Sequence, residues 1–408
     1  MINNNYKKHF LHYISFDTQS NEESNTCPST EKQKHLAKEL VKELIAMGIK
    51  NAFMDEDGYV YGYLEANNDS KECVGLIAHM DTSDEASGKD VKPQIINNYD
   101  GSIINVNKDL GIILDPKVFP VMLEQIGHEL ITTDGTTLLG ADDKSGVAII
   151  MTAVEEIVNN NLPHANIIIT FTPDEEIGRG ADRFNLDYYK ERNCYRAYTI
   201  DGGSANIIEF ENFNAASCIV TITGKSIHPG SAKDKLINSQ ILAMEFFNKL
   251  PSDMRPEKTS DYEGFNHLTQ IKGTTSETIM HFIIRNHDKK IFNEQKTLFI
   301  TIKDEMNQKL GEDLVNVVIK DSYYNMKEIV EKHPEVLKFA EDSLKEVGLV
   351  PKYEPIRGGT DGARLSFEGI VTPNLGTGGQ NYHGPFEYVD VDEASLMVEV
   401  VKRLVNKF

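Results

Sequence analysis

The chain sets acids and imidazoles at points where few other side chains would serve. His79 and Asp81 end the apolar run VGLIAHMD, which reads as a strand, and alternation turns residues two apart to one side, so the two side chains converge. In open α/β sheets ligands bind beyond the carboxyl ends of strands. An imidazole beside a carboxylate there fits a metal ligand oriented by its neighbour; a core histidine or a loop ion pair accounts for the same letters. Asp142 and Asp143, in GADDKSG, stand just before an apolar helix that begins near Val147. The helix dipole favours a carboxylate at such an N-terminus. That explains one aspartate and leaves the second free to face a cation.

FTPDEEIGRG follows the apolar run NIIIT with three consecutive acids, Asp174, Glu175 and Glu176. Crowding them costs repulsion unless solvent or cations neutralise it. At the end of a strand two glutamates can divide the labour, one binding metal and its neighbour acting as general base. Asp201 closes the predicted strand YRAYTI, and His383 lies in the Gly-rich loop NYHG. Two histidines and several carboxylates form a nitrogen and oxygen donor set suited to zinc, larger than one ion needs. Two ions are the simplest hypothesis.

Competing motifs fail on their letters. HELIT, from His128, lacks the second histidine of HExxH; GKS at Gly224 to Ser226 lacks the glycine of a phosphate loop, where Ile219 stands; GRG is too short for a dinucleotide fingerprint, and no GxSxG elbow occurs.

The elements that must position these residues follow from periodicity. Leu36, Leu40 and Leu44 recur every fourth residue up to Gly48, and Thr30 with Gln33 predicts a capping box for that helix. VGLIAHMD, the helix GVAIIMTAVEEIV and the strand NIIITFTP then alternate in α/β order. From about Asn212 the rhythm changes to βαββαβ, which predicts an α+β ferredoxin-like inserted domain. The expected division is a catalytic domain in two parts, 1–211 and 323–408, around an insert at 212–322.

At 408 residues the chain exceeds the roughly 250–300 at which one hydrophobic core stops growing. Hydrophobic residues form 40% and charged residues 26% of it, too polar a balance for a membrane protein. Lys and Arg total 42 against 63 Asp and Glu, a net charge of −21. That field repels nucleic acid and anionic membranes, so neither is an expected partner. The four scattered cysteines and an N-terminus without an apolar leader core predict a cytoplasmic protein with reduced thiols.

Taken in order, HMDTSD, GADDKSG, FTPDEEIGRG, TIDGG, SIHPGSA, RGGTDGA and NYHG closely resemble the peptidase T family, and FENFNAAS and DSYYNM extend the likeness nearly end to end. These are tripeptide aminopeptidases among the co-catalytic di-zinc metallopeptidases, related to aminoacylases and bacterial glutamate carboxypeptidases. The resemblance implies a zinc-peptidase catalytic domain with a mixed central sheet flanked by helices, and two Zn2+ per subunit. His79 and Asp201 would hold one ion, Glu176 and His383 the other, and Asp142 would bridge them. Asp81 would orient His79, Glu175 would be the general base, and the Asp142–Asp143 peptide would be cis. His228, Arg285 and Arg357 would bind the tripeptide, an arginine capturing its C-terminal carboxylate and so measuring chain length. The inserted domain resembles a module that dimerises in some relatives and forms a lid in monomers, which leaves a homodimer open. A dipeptidase or N-acyl-amino-acid deacylase would share every metal residue; a silent metal- or peptide-binding relative would lack a ligand or the base, and none is missing.

Overall fold

In the computed structural model, which describes residues 2–408, the chain forms two compact units. The first holds the chain up to Phe210 together with Glu328–Glu354 and Thr360–Phe408; the second holds Glu211–Lys327 and Pro355–Gly359.

The first unit is built on an eight-stranded sheet in the order Phe53–Met54, Val60–Leu64, Asn166–Thr172, Cys73–His79, Ala197–Gly202, Asn374–Gly376, Ile207–Glu209, Lys352–Tyr353. Its centre is parallel, from Asn166–Thr172 to Asn374–Gly376, and antiparallel pairs flank it. Cys73–His79 is buried at every position and Asn166–Thr172 at all but its first. Both faces are covered, which is why these strands read as continuous apolar runs.

The helix Ala141–Asn160 packs on Cys73–His79 and Ala197–Gly202. The approach is close enough to require Gly146, where a Cβ would stand 1.8 Å from the Ile200 carbonyl oxygen. Asn4–Tyr13 and Val391–Leu404 pack against the same helix, and Pro334–Glu346 packs on Val391–Leu404. The helix Gln33–Ala46 buries Leu36, Leu40 and Leu44 as predicted, but it carries no side-chain cap. The Thr30 hydroxyl instead donates to the Gln19 carbonyl at 2.7 Å, and the Gln33 amide donates to Asp174 at 2.7 Å. Tertiary partners have taken both groups of the expected capping box.

A smaller antiparallel sheet, Gly379–Gln380, Tyr388–Asp390, Leu130–Thr132 and Gln94–Ile96, has strands too short to leave a period in the sequence. It fixes the chain on both sides of His383. Asp390 caps the helix Val391–Leu404 and accepts a hydrogen bond from His128 Nδ1 at 2.6 Å. That bond holds the His128 pKa above its ordinary value despite partial burial, while burial pushes the Asp390 carboxyl up. The imidazole sets the pH window. Because its folded-state pKa is raised, the stabilisation is complete below the unfolded value of about 6.5 and is lost as pH rises through the raised value. His128→Ala is therefore expected to lower the melting temperature more at pH 6 than at pH 9. The excess should be only about 1 °C, because the imidazole is one-third exposed and screened. Thermal denaturation at the two pH values checks this, and equal losses would exclude a charge effect.

The second unit has the βαββαβ order of a ferredoxin-like fold. Strands Phe265–Gly273, Glu277–Asn286, Asn214–Thr223 and Val315–Tyr323 form one antiparallel sheet in that order. Alternate residues Met280, Phe282 and Ile284 meet Phe246 and Phe299 from the helices Ser239–Lys249 and Lys289–Leu310. Pro355–Gly359 belongs to this unit, with Ile356 bridging to Asn212, a return of the chain that local pattern does not signal.

Candidate metal centre

The ends of the parallel strands bring His79, Asp81, Glu175, Glu176 and Asp201 together, and the start of the helix Ala141–Asn160 and the loop between Gly379–Gln380 and Tyr388–Asp390 add Asp142 and His383. His79 is the last residue of its strand; its Nε2 lies 2.7 Å from Asp142 Oδ1 and 3.4 Å from Asp201 Oδ1. His383 Nε2 lies 2.9 Å from Glu176 Oε2 and 3.3 Å from Asp142 Oδ2. Asp142 thus turns one oxygen toward each imidazole. The Asp142–Asp143 peptide is cis.

Asp81 ties two strand ends together. Its carbonyl oxygen lies 3.1 Å and its carboxylate 3.4 Å from His79 Nδ1, and the carboxylate accepts the backbone N–H groups of Glu175 at 3.0 Å and Glu176 at 3.2 Å. Glu176 Oε1 accepts from Ser83 N at 3.0 Å, leaving its other oxygen on His383. The remaining acids of the two motifs serve the backbone and side chains around them. Asp143 accepts from His79 N and Gly146 N, and Asp174 accepts from Ser29 and Gln33.

Burial sets the charge states. It pushes Glu175 well above the ordinary glutamate range, helped by Asp201, Asp361 and Glu176 against the pull of His79. It takes Glu176 up to about 8 and Asp201 to about 6. Burial also raises Asp142, but hydrogen bonds from His383 and His79 overcome it and hold this carboxyl well below the usual range. So many buried carboxylates around two imidazoles are costly without cations. His79, Asp142 and Glu176 offer donor atoms within 4.8 Å of one another, and His79, Asp143 and Asp201 form a second such set. Imidazole nitrogen with carboxylate oxygen suits zinc, so the residues fit the expected ions.

Two buried acids escaped sequence reasoning. Asp361 accepts from the Thr172 hydroxyl at 2.9 Å, and burial raises its pKa to about 7. It sits in RGGTDGA, where only the arginine was singled out. Glu387 lies four residues after His383, and its one signal was an acid just beyond a Gly-rich loop.

The three expected substrate residues belong to the second unit. Arg285 Nη1 donates to the Arg357 carbonyl at 3.0 Å, while the buried Arg285 Nε has no hydrogen-bond partner. The Arg357 guanidinium is already engaged, donating to the carbonyls of Asp261 and Glu263 at 2.7 and 3.0 Å and to Thr259 Oγ1 at 2.9 Å. His228 Nδ1 accepts from Gly230 N at 3.1 Å in its own exposed turn.

A parallel-centred sheet whose strand ends gather imidazoles and carboxylates around a shared aspartate, with a ferredoxin-like insert, defines a class: metallopeptidases of the α/β type. The chain belongs to peptidase family M20/M25/M40, whose model matches residues 131–407. It is 50% identical over 401 residues to Peptidase T of Caldanaerobacter subterraneus subsp. tengcongensis, covering 98% of this chain and 97% of that one. It is 51% identical over 401 residues to Peptidase T of Clostridium novyi, covering 98% of each. The crystal structure of the aminopeptidase PepT of Bacillus cereus matches with a TM-score of 0.78 at 22% identity, covering 100% and 99% of the two chains. Among the described residues no helix is long and apolar enough to cross a membrane.

Proposed function

We propose that the protein is a cytoplasmic di-zinc aminopeptidase that removes the N-terminal residue of tripeptides. The observation that carries this is Asp142, a single carboxylate with one oxygen toward His79 and the other toward His383, in a chain alike nearly end to end with proteins called Peptidase T. His79 and Asp201 would hold one ion, Glu176 and His383 the other, with Asp142 common to both. Bound there, the ions would polarise the scissile carbonyl and make water a nucleophile near neutral pH.

The chain's own groups supply the rest. Asp81 orients His79 through its Nδ1 and holds the turn that carries Glu175. The Glu175 carboxylate takes the proton of the attacking water and delivers it to the leaving amine. Burial already raises the proton affinity of that carboxyl, which suits a group that must hold a proton between the two steps.

Arg285 is the group that captures the peptide's terminal carboxylate, because its Nε is a buried donor without a partner. Arg357 positions it through its carbonyl and the 259–263 loop, and His228 contributes from its turn. Arg285→Ala is expected to raise KM for a free tripeptide about 10- to 100-fold, the worth of a charge-assisted hydrogen bond, with a smaller effect on kcat. Kinetics on the tripeptide and its C-terminal amide check this; a variant that still prefers the free acid would remove the assignment.

Product analysis tests the function as a whole. Zinc-loaded protein should release one N-terminal residue from a free tripeptide, lose that activity with a chelator, and spare di- and tetrapeptides and an N-acetylated tripeptide. Cleavage confined to the acetylated or dipeptide substrate would move the function to a deacylase or dipeptidase.

A further inference from the structure

His383 stands in a backbone conformation disfavoured for a residue with a Cβ, at φ +67°, and Asn381 two residues earlier is at +55°. Such a loop keeps its shape only if its surroundings impose it. Two anchors do so. The Tyr382 hydroxyl donates to the Gly202 carbonyl at 2.9 Å, next to Asp201. On the other side Glu387, 1% exposed, accepts three backbone N–H groups: Leu139 at 2.7 Å and Gly140 at 3.0 Å on Oε2, and Asp142 at 3.1 Å on Oε1.

The third of those bonds reaches the backbone of the residue whose side chain meets His383. Glu387 is also linked to the His383 loop by its own N–H, which donates to the Gly384 carbonyl at 3.1 Å. Beyond it, the chain enters the strand Tyr388–Asp390, paired with Leu130–Thr132. One buried carboxylate therefore joins the loop carrying His383 to the loop carrying Asp142. We propose that Glu387 is a positioning residue, a latch that sets Asp142 and His383 at ligating distance before any ion arrives. The inference rests on the two-ion reading above.

The choice of glutamate has a physical reason. Three converging N–H donors at the start of a helix need an acceptor with two oxygens, and a carboxylate is stabilised there by both the hydrogen bonds and the dipole. Glutamine has nearly the same shape but one acceptor oxygen, so its amide N–H would face a backbone N–H. Glu387→Gln thus breaks the latch with little change in volume.

The test compares ion-free wild type, E387Q and D288A, the last removing the N-cap of the helix Lys289–Leu310 in the second unit. Zinc affinity is measured by competition with a chromophoric chelator, the visible spectrum is recorded after cobalt loading, and melting is followed without metal. E387Q is expected to bind zinc about 10- to 100-fold more weakly, as loss of a partner that orients ligands does, and to show an altered cobalt spectrum. D288A should melt earlier yet keep wild-type zinc affinity and spectrum. Wild-type affinity and spectrum in E387Q would overturn the latch, as would an equal loss of affinity in D288A. If E387Q does not fold, E387D carries the test: it keeps the charge but is one methylene too short, and the same loss is expected. Wild type that takes up fewer than two zinc ions would overturn the two-ion reading, and the latch with it.

Discussion

Glu175→Gln should retain its full zinc content and lose about 100- to 10,000-fold in kcat for a free tripeptide, the usual contribution of a general base. The substitution keeps the shape and the backbone N–H that Asp81 accepts, so the turn carrying Glu176 stays in place. What it removes is the group that accepts a proton. Burial and three neighbouring acids raise the affinity of that carboxylate for a proton. Metal analysis alongside kinetics separates chemistry from assembly. Turnover within a few-fold of wild type at full zinc content would exclude Glu175 as the base.

Asp142→Asn should do more harm by a different route. Asp142 is the one carboxylate with an oxygen on each imidazole, and an amide offers only one acceptor and no charge. Both ions would lose a ligand, so zinc content after desalting should fall from two per chain to one or none. Activity should fall by at least about 1,000-fold, since the shared ligand serves every later step. His383→Ala, by contrast, should release one ion and spare the other. If Asp142→Asn kept two tightly bound ions, the bridging assignment would be wrong.

Much of the site was legible because its chemistry is tied to strand ends. His79 and Asp201 terminate apolar runs, and Glu175 and Glu176 follow one; the buried parallel strands that make those runs also deliver the residues to one edge of the sheet. The ferredoxin-like unit was legible for a related reason: its strands are long, with alternate residues facing a helix layer, so a period of two survives in the letters. Less legible was what depends on contacts between distant segments. Thr30 and Gln33 have the letters of a capping box, yet Gln19 and Asp174 claim their side chains. Asp143 and Asp174 were indistinguishable in sequence from the acids beside them, and only their hydrogen bonds show that they hold loops in place. Glu387 works through N–H groups about 245 residues away in the chain, a relation no local window contains. The sheet of two- and three-residue strands around His383 was likewise below the length at which periodicity carries information.

The measurement that tests the account most directly is a titration of ion-free protein with zinc while release of the N-terminal residue from a free tripeptide is followed. Activity should be absent without metal and reach its plateau at two equivalents per chain. A plateau at one equivalent, or no cleavage at any ratio, would contradict a two-ion tripeptide aminopeptidase.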